Sequence, residues 1–217
     1  LQPAAASRRF PSYLAPAMTQ LPELPLTLSR QEIRKMIRQR RRALTPEQQQ
    51  EMGQQAATRM MTYPPVVMAH TVAVFLSFDG ELDTQPLIEQ LWRAGKRVYL
   101  PVLHPFSAGN LLFLNYHPQS ELVMNRLKIH EPKLDVRDVL PLSRLDVLIT
   151  PLVAFDEYGQ RLGMGGGFYD RTLQNWQHYK TQPVGYAHDC QLVEKLPVEE
   201  WDIPLPAVVT PSKVWEW

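Results

Sequence analysis

The chain has 217 residues, 44% of them hydrophobic, which suits one globular domain with a sizeable core and is short for two. Its 23 basic and 22 acidic residues leave a net charge of +1, so no global field recruits nucleic acid or an anionic membrane, and any such attraction has to be local. One cysteine, Cys190, excludes an internal disulfide and fits a reducing compartment, and no apolar run approaches the roughly 20 residues that span a bilayer, so a cytoplasmic location is expected.

Residues 1–28 are rich in Ala and Pro and carry Arg8 and Arg9 without a continuous apolar segment. They do not read as a secretory signal; a disordered or start-site extension is expected, with Met18 as a candidate start, and residues 29–217 form the single domain. Ser29 with Glu32 makes a capping box, and Ile33, Met36, Ile37 and Leu44 give an apolar stripe, so a helix is predicted over residues 30–43. Arg30, Arg34 and Arg38 recur every four residues on another face, with Arg41 near it. Like charges at that spacing repel, and either solvent or a bound anion relieves them.

Thr45-Pro46-Glu47-Gln48 starts a second helix with its own capping box, Met52, Ala56 and Met60 give it a buried face, and Pro64-Pro65 is expected to stop it. A strand at Thr71–Ser77, a helix at Thr84–Ala94 ended by Gly95, and a strand at Arg97–Leu100 follow with short joins, which implies parallel pairing. The loop Phe78–Asp83 therefore leaves the C-terminal end of a strand, where open α/β sheets bind ligands. Asp83 reads as a helix cap, whereas Glu81 has no obvious structural task.

Leu111–Tyr116 reads as a strand and Arg126–Leu140 as mostly loop; Lys128, His130, Glu131 and Lys133 in it are assigned no role. Leu145–Thr150 is a near-continuous apolar run that fits a central parallel strand, and further strands are read at Thr181–Ala187 and Ala207–Thr210. The alternation predicts a three-layer, Rossmann-like open sheet, mainly parallel, with helices on both faces. Asp202, just before Pro204, reads first as a turn residue.

Five of the ten glycines fall in Gly159–Arg171. A loop is expected there, with backbone that needs positive φ or close approach to a ligand, followed by a helix from Phe168 with Asp170 in its first turn and Leu173 and Trp176 as apolar contacts. Free N–H groups at such a start, flanked by Arg161 and Arg171, suit phosphate oxygens. The run is neither a Walker loop nor a dinucleotide fingerprint. The six histidines show no metal-ligand spacing, and no nucleophile elbow or nucleophilic cysteine pattern occurs. From the residues alone three readings stand: a nucleotide-using enzyme, an isomerase or acyl-transfer enzyme holding a sugar phosphate or coenzyme A with the same loop, and an RNA-binding module on the Arg30–Arg42 helix. Against the last, that helix lacks interleaved aromatics.

The whole string is more specific than its glycines. Arg161-Leu162-Gly163-x-Gly165-x-Gly167-Phe168-Tyr169-Asp170-Arg171 resembles the signature of the 5-formyltetrahydrofolate cyclo-ligases, also called 5,10-methenyltetrahydrofolate synthetases, and the similarity runs from about Ser29 to the C-terminus. The resemblance implies conversion of 5-formyltetrahydrofolate to 5,10-methenyltetrahydrofolate with ATP and Mg²⁺, through a phosphorylated N5-formyl (imidate) intermediate; a monomer is expected, and the charge balance and composition lead to no nucleic-acid or membrane partner. It implies nucleotide contacts from Arg30, Arg34, Arg161, Leu162, Gly163, Met164, Gly165, Gly166, Gly167, Phe168 and Tyr169, and folate contacts from Leu76, Glu81, Met164 and Phe168. Arg34 and Tyr169 are implied in catalysis, and Asp170 and Asp202 in holding Mg²⁺. Some family members carry basic residues within the glycine loop; Met164 and Gly166 stand there in this chain, so either the missing charge comes from Arg161, Arg171 or the N-terminal helix, or phosphate is bound more weakly.

Overall fold

The computed structural model describes residues 28–217, so the expected extension lies, apart from Leu28, outside the described residues. In chain order the elements are α1 (Arg30–Arg42), α2 (Pro46–Thr62), α3 (Pro64–Met68), β1 (Thr71–Ala73), α4 (Gln85–Arg93), β2 (Arg97–Leu103), β3 (Leu111–Tyr116), β4 (Leu122–Met124), β5 (His130–Pro132), β6 (Val139–Leu140) and β7 (Val147–Thr150). There follow β8 (Ala154–Asp156), β9 (Arg161–Leu162), α5 (Phe168–Leu173), β10 (Gln182–Tyr186), β11 (Leu192–Val193), β12 (Ala207–Val209) and β13 (Val214–Glu216).

Eight strands form the main sheet in the order β13-β12-β10-β7-β1-β2-β3-β6. The central pairings β12-β10, β10-β7, β7-β1 and β1-β2 are parallel, and β13, β3 and β6 add antiparallel edges. Alternation along the strands divides the core. Val72, Val98, Val147, Ile149, Val184 and Val209 face α2 and α4, while Ala73, Tyr99, Leu148 and Val208 face the opposite way into a cluster with Phe113, Leu173 of α5 and Trp215. The expected parallel β1-α4-β2 unit is therefore present, and β7 is the buried central strand that its apolar run predicted.

A second sheet, β11-β8-β9, has three strands and carries α1 on it. The predicted capping box forms: Ser29 Oγ accepts from Glu32 N at 3.1 Å and Glu32 Oε1 accepts from Ser29 N at 3.3 Å. Ile33 and Ile37, four residues apart, are fully buried against Val153, Ala154, Leu162 and Val193, each burial contributing about 1.5–3 kcal/mol. This docking fixes where the arginines of α1 lie, because β9 runs directly into the glycine loop.

Several expectations are corrected. Pro64-Pro65 does stop α2, which ends at Thr62 with Tyr63 extended, but the same prolines also open the short α3, which was not expected, since prolines at the first helical positions lack only N–H groups that would be unpaired anyway. The Thr71–Ser77 strand keeps ladder pairing only through Ala73, with one further bond from Val74 N to Tyr99 O at 2.9 Å. Beyond it Phe75, Leu76 and Phe78 leave the sheet to wall a cavity. Arg97–Leu100 extends to Leu103 because β3 continues to pair with it. The predicted loop Arg126–Leu140 contains β5 and β6, and α5 stops at Leu173, where Asn175 at φ 61° breaks the helix before Trp176.

Candidate active site

The C-terminal ends of β1 and β2, α1, the hairpin β4-β5 and the glycine loop enclose one cavity of about 600 Å³. Its wall is apolar along Phe75, Leu76, Leu100, Leu103 and Ile129, and polar where Arg30, Arg34, Glu81, Glu131 and Asp170 reach it. A large apolar recess with a few convergent charges suits a flat, partly polar ligand.

The loop is built by its backbone. Gly165 stands at φ 107° and Gly167, which caps α5, at φ 71°, values that residues with a Cβ rarely adopt. Arg171 braces it from outside: its Nε donates to Gly109 O at 2.6 Å, its Nη2 donates to Gly166 O at 2.5 Å, and its guanidinium lies 5.4 Å from the centre of the Phe168 ring. Since α5 has only six residues, the loop amides rather than a long helix dipole provide the anion-binding character.

Arg34 joins the two distant segments. From the second turn of α1 its Nε donates to Gly163 O at 2.8 Å, and it is 7% exposed, so the arginine face expected to meet solvent or an anion is turned inward at this position. Burial lowers its pKa, with Arg30 and Arg38 adding to the effect, yet an arginine stays charged. Arg30, one turn earlier, holds both oxygens of Asp202, at 2.7 and 3.0 Å, and this bonding raises its pKa. Against the cost of partial burial, Arg30 and the Glu199 amide keep the Asp202 carboxyl below its ordinary range. Asp202 is thus more than the chain reversal first read from the sequence: it ties the segment before β12 to α1.

Arg161 is buried at the base of the loop, where its Nε donates to Pro151 O at 3.0 Å and its Nη1 faces Asp170 Oδ1 at 3.4 Å. Its guanidinium lies 5.6 Å from the Tyr169 ring centre. Burial pushes the Tyr169 hydroxyl well above its usual pKa, so it is a hydrogen-bond donor at neutral pH and not a base. Glu81 closes the opposite side: its Oε1 accepts from Phe78 N at 2.9 Å, and burial pushes its carboxyl up to about 7, against the opposing pull of Arg41. Cys190 is half-buried and its thiol is pushed up to about 12 by burial, which leaves it without thiolate character.

The cavity brings together Leu76, Glu81, Arg30, Arg34, Arg161, Gly163, Met164, Gly165, Gly166, Gly167, Phe168, Tyr169 and Asp170. Leu162 is not among them: its side chain is 1% exposed in the core under α1. Asp202 stands behind Arg30 and does not line the cavity itself. Sequence reasoning missed the hairpin β4-β5 and Trp201. Glu131, left without a role, accepts from Leu103 N at 3.1 Å and Asn125 Nδ2 at 3.0 Å and so fastens the hairpin over the pocket. The available signal was Leu127 and Ile129, apolar residues in an otherwise polar stretch.

Hard cations take carboxylate oxygens, and Asp170 lines the cavity with its Oδ2 bonded to nothing among the described residues. Its Oδ1 lies 3.4 Å from the amide of Ile203, the residue after Asp202, so the two aspartates belong to one corner. One or two carboxylates beside a phosphate are a usual setting for Mg²⁺, and this donor set fits it.

The 5-formyltetrahydrofolate cyclo-ligase family profile matches residues 27–211. A 5-formyltetrahydrofolate cyclo-ligase of Haemophilus influenzae is 53% identical over 179 residues, covering 82% of this chain and 96% of the relative. One of Mycolicibacterium smegmatis is 31% identical over 188 residues, covering 85% and 95%. Among solved structures, the 5,10-methenyltetrahydrofolate synthetase of Aquifex aeolicus superposes with a TM-score of 0.74 at 28% identity, over 87% of this chain and 93% of that one.

Proposed function

The chain belongs to the 5-formyltetrahydrofolate cyclo-ligase family, and from that premise we propose that it converts 5-formyltetrahydrofolate to 5,10-methenyltetrahydrofolate with ATP and Mg²⁺, releasing ADP and phosphate. The observation that carries the site assignment is the 2.8 Å bond from Arg34 to the Gly163 carbonyl, which sets a buried cation against the glycine loop on the wall of a folate-sized apolar cavity.

The chemistry explains the demand for ATP. The N5-formyl group is an amide, and its oxygen leaves poorly until it becomes a phosphate ester. In the proposed sequence the formyl oxygen bonds to the γ-phosphorus while the bond to the ADP oxygen breaks. N10 then adds to the activated carbon and gives up its proton, and phosphate departs to leave the methenyl bridge. Such a sequence asks for positioning and charge stabilisation more than for a strong acid or base.

The loop amides from Gly163 to Gly167 bind phosphate oxygens, and Arg34 supplies charge that Met164 and Gly166 do not. Arg30 and Arg161 act mainly by holding Asp202 and Asp170. Asp170 would hold Mg²⁺ through its Oδ2, Asp202 would join it only by giving up a bond to Arg30, and the ion would neutralise phosphate charge. Glu81 orients the pterin part against Leu76, Met164 and Phe168, while Tyr169 donates toward the ligand. The apolar walls keep water from the phosphorylated carbon.

Mixing the protein with 5-formyltetrahydrofolate, ATP and Mg²⁺ tests this directly. The near-ultraviolet band of the methenyl product should grow only when all three are present. No product with active folate and nucleotide would discard the proposal, and product without ATP would assign a different chemistry.

A further inference from the structure

Beneath the turn that presents Glu81 lies a buried polar cluster to which the proposed mechanism gives no task. Arg41, in the last turn of α1, is 2% exposed, and its Nε and Nη1 have no hydrogen-bond partner among the described residues. His188 is fully buried; its Nε2 is 3.1 Å from Gly80 O, so that nitrogen carries the proton, and its Nδ1 has no hydrogen-bond partner among the described residues. Neither residue lines the cavity. Two donors and one acceptor left unmade at such depth cost stability, and their retention calls for a reason.

The geometry around the turn offers one. Gly80, at φ 75°, sits so close to Arg41 that an added Cβ would lie 3.2 Å from the arginine Cβ. Gln49 Nε2 bridges Gly80 O at 3.2 Å and Arg41 O at 3.4 Å, while Arg42 Nε donates to Asp79 Oδ1 at 2.9 Å and Arg41 Nη2 lies 3.8 Å from Asp79 Oδ2. The turn is thus seated from α1, α2 and the segment after β10, and Phe78 N then fixes the Glu81 carboxylate.

We propose that Arg41 is a positioning residue for Glu81: its buried guanidinium seats the Phe78–Glu81 turn and supplies the counter-charge behind the carboxylate that faces the substrate. This rests on the assignment of Glu81 to the folate. The charged and titratable groups around Glu81 are Arg41 from α1, Asp79 in its own turn, Tyr169 from α5 and His188. Of these, Arg41 is the cation, Asp79 opposes it, the Tyr169 hydroxyl stays protonated, and burial lowers His188 to about 4, which keeps it neutral. Burial pushes the Glu81 carboxyl up to about 7, and Arg41, with the Phe78 amide beside it, is what opposes that rise, while Asp79 adds to it, so the loss of Arg41 would leave less carboxylate at neutral pH.

The experiment is a carbon NMR titration of the Glu81 carboxyl, assigned with Glu81→Gln, in the full chain and in Arg41→Met, Arg41→Lys and Asp79→Asn, together with the pH dependence of the KM for 5-formyltetrahydrofolate. Arg41→Met should raise the Glu81 midpoint by about one pH unit or more, Arg41→Lys should restore most of it, and Asp79→Asn should lower it. The folate KM should rise about 5-fold or more at neutral pH in Arg41→Met, a shift of the order expected for about one pH unit, while the KM for ATP stays put. An unchanged Glu81 titration in Arg41→Met would overturn the proposal; should that variant not fold, an unchanged midpoint in Arg41→Gln, which keeps a polar side chain but no charge, would do the same. A moved titration with a folate KM indifferent to pH would uphold the coupling and remove Glu81 from the substrate.

Discussion

Arg34 is the residue on which the site's assembly turns, and Arg34→Ala is the perturbation that reads it most clearly. The substitution removes a charged donor at 2.8 Å from Gly163 O, on a side chain that is 7% exposed. A hydrogen bond from a charged group contributes about 1.5–3 kcal/mol. That loss converts to roughly 10- to 150-fold in an equilibrium constant, at 1.4 kcal/mol per tenfold. With Gly165 at φ 107° and only the Arg171 brace on Gly166 O left, the loop released from Arg34 should hold phosphate less well, and the KM for ATP should rise by about 10- to 100-fold with a fall in kcat. The α1 helix itself should stay docked through Ile33 and Ile37. Initial rates of methenyl formation across ATP concentrations, at saturating folate, measure the effect, and thermal unfolding checks the fold. Arg34→Lys should recover part of the activity, since it keeps charge but not the guanidinium's fixed fork. An Arg34→Ala enzyme with kcat and ATP KM within about twofold of the parent would refute the reasoning that magnitude rests on.

Other substitutions separate structure from chemistry. Gly185→Ala in β10 would place a Cβ 2.8 Å from Val208 and 2.9 Å from Leu152 and Leu205, so it should cost about 1–3 kcal/mol in denaturant unfolding while the folded fraction retains kcat. Asp146 is held down to about 2: partial burial works against the charge, but Lys180 at 2.9 Å and the amides of His70 and Thr71 prevail. Its folded pKa lies below the unfolded one, so its stability is present above about pH 4 and is lost as pH falls toward 2; Asp146→Asn should be about 1 kcal/mol less stable at pH 7 and should flatten the acid limb between those values. Asp170→Asn should raise the Mg²⁺ and ATP requirement well beyond any change in folate KM, and equal activity would return Asp170 to the role of partner to Arg161.

Much of this arrangement was legible in the sequence because it is carried by local signals. The Ser29 and Thr45 capping boxes, the apolar run ending in Thr150 and the strand-helix-strand spacing each determine an element with little help from elsewhere. What escaped were features set by long-range contact. The strand after Thr71 looks continuous through Ser77, yet its apolar side chains from Phe75 onward serve a cavity and not a ladder. The two-residue β11 exists only because β8, far earlier in the chain, pairs with it, the two-residue β9 is too short to show a period although it only folds back on β8, and β13 is a short edge that no period reveals. The glycine string identified the loop, but spacing alone could not say that Arg161 is buried beneath it, that Leu162 faces the core, or that Asp202 is gripped by Arg30. Nor did the even spacing of Arg30, Arg34 and Arg38 show which of them turns inward, which depends on the small sheet beneath α1.

The central claim is that the glycine loop and the first turns of α1 hold one triphosphate between them. Amide hydrogen exchange with and without a non-hydrolysable ATP analogue and Mg²⁺ measures this without requiring turnover. The account predicts that exchange slows together at Gly163–Gly167 and at the first turn of α1, and that the joint protection is lost in Arg34→Ala. Protection confined to one of the two segments, or to neither while the analogue is bound, would contradict it.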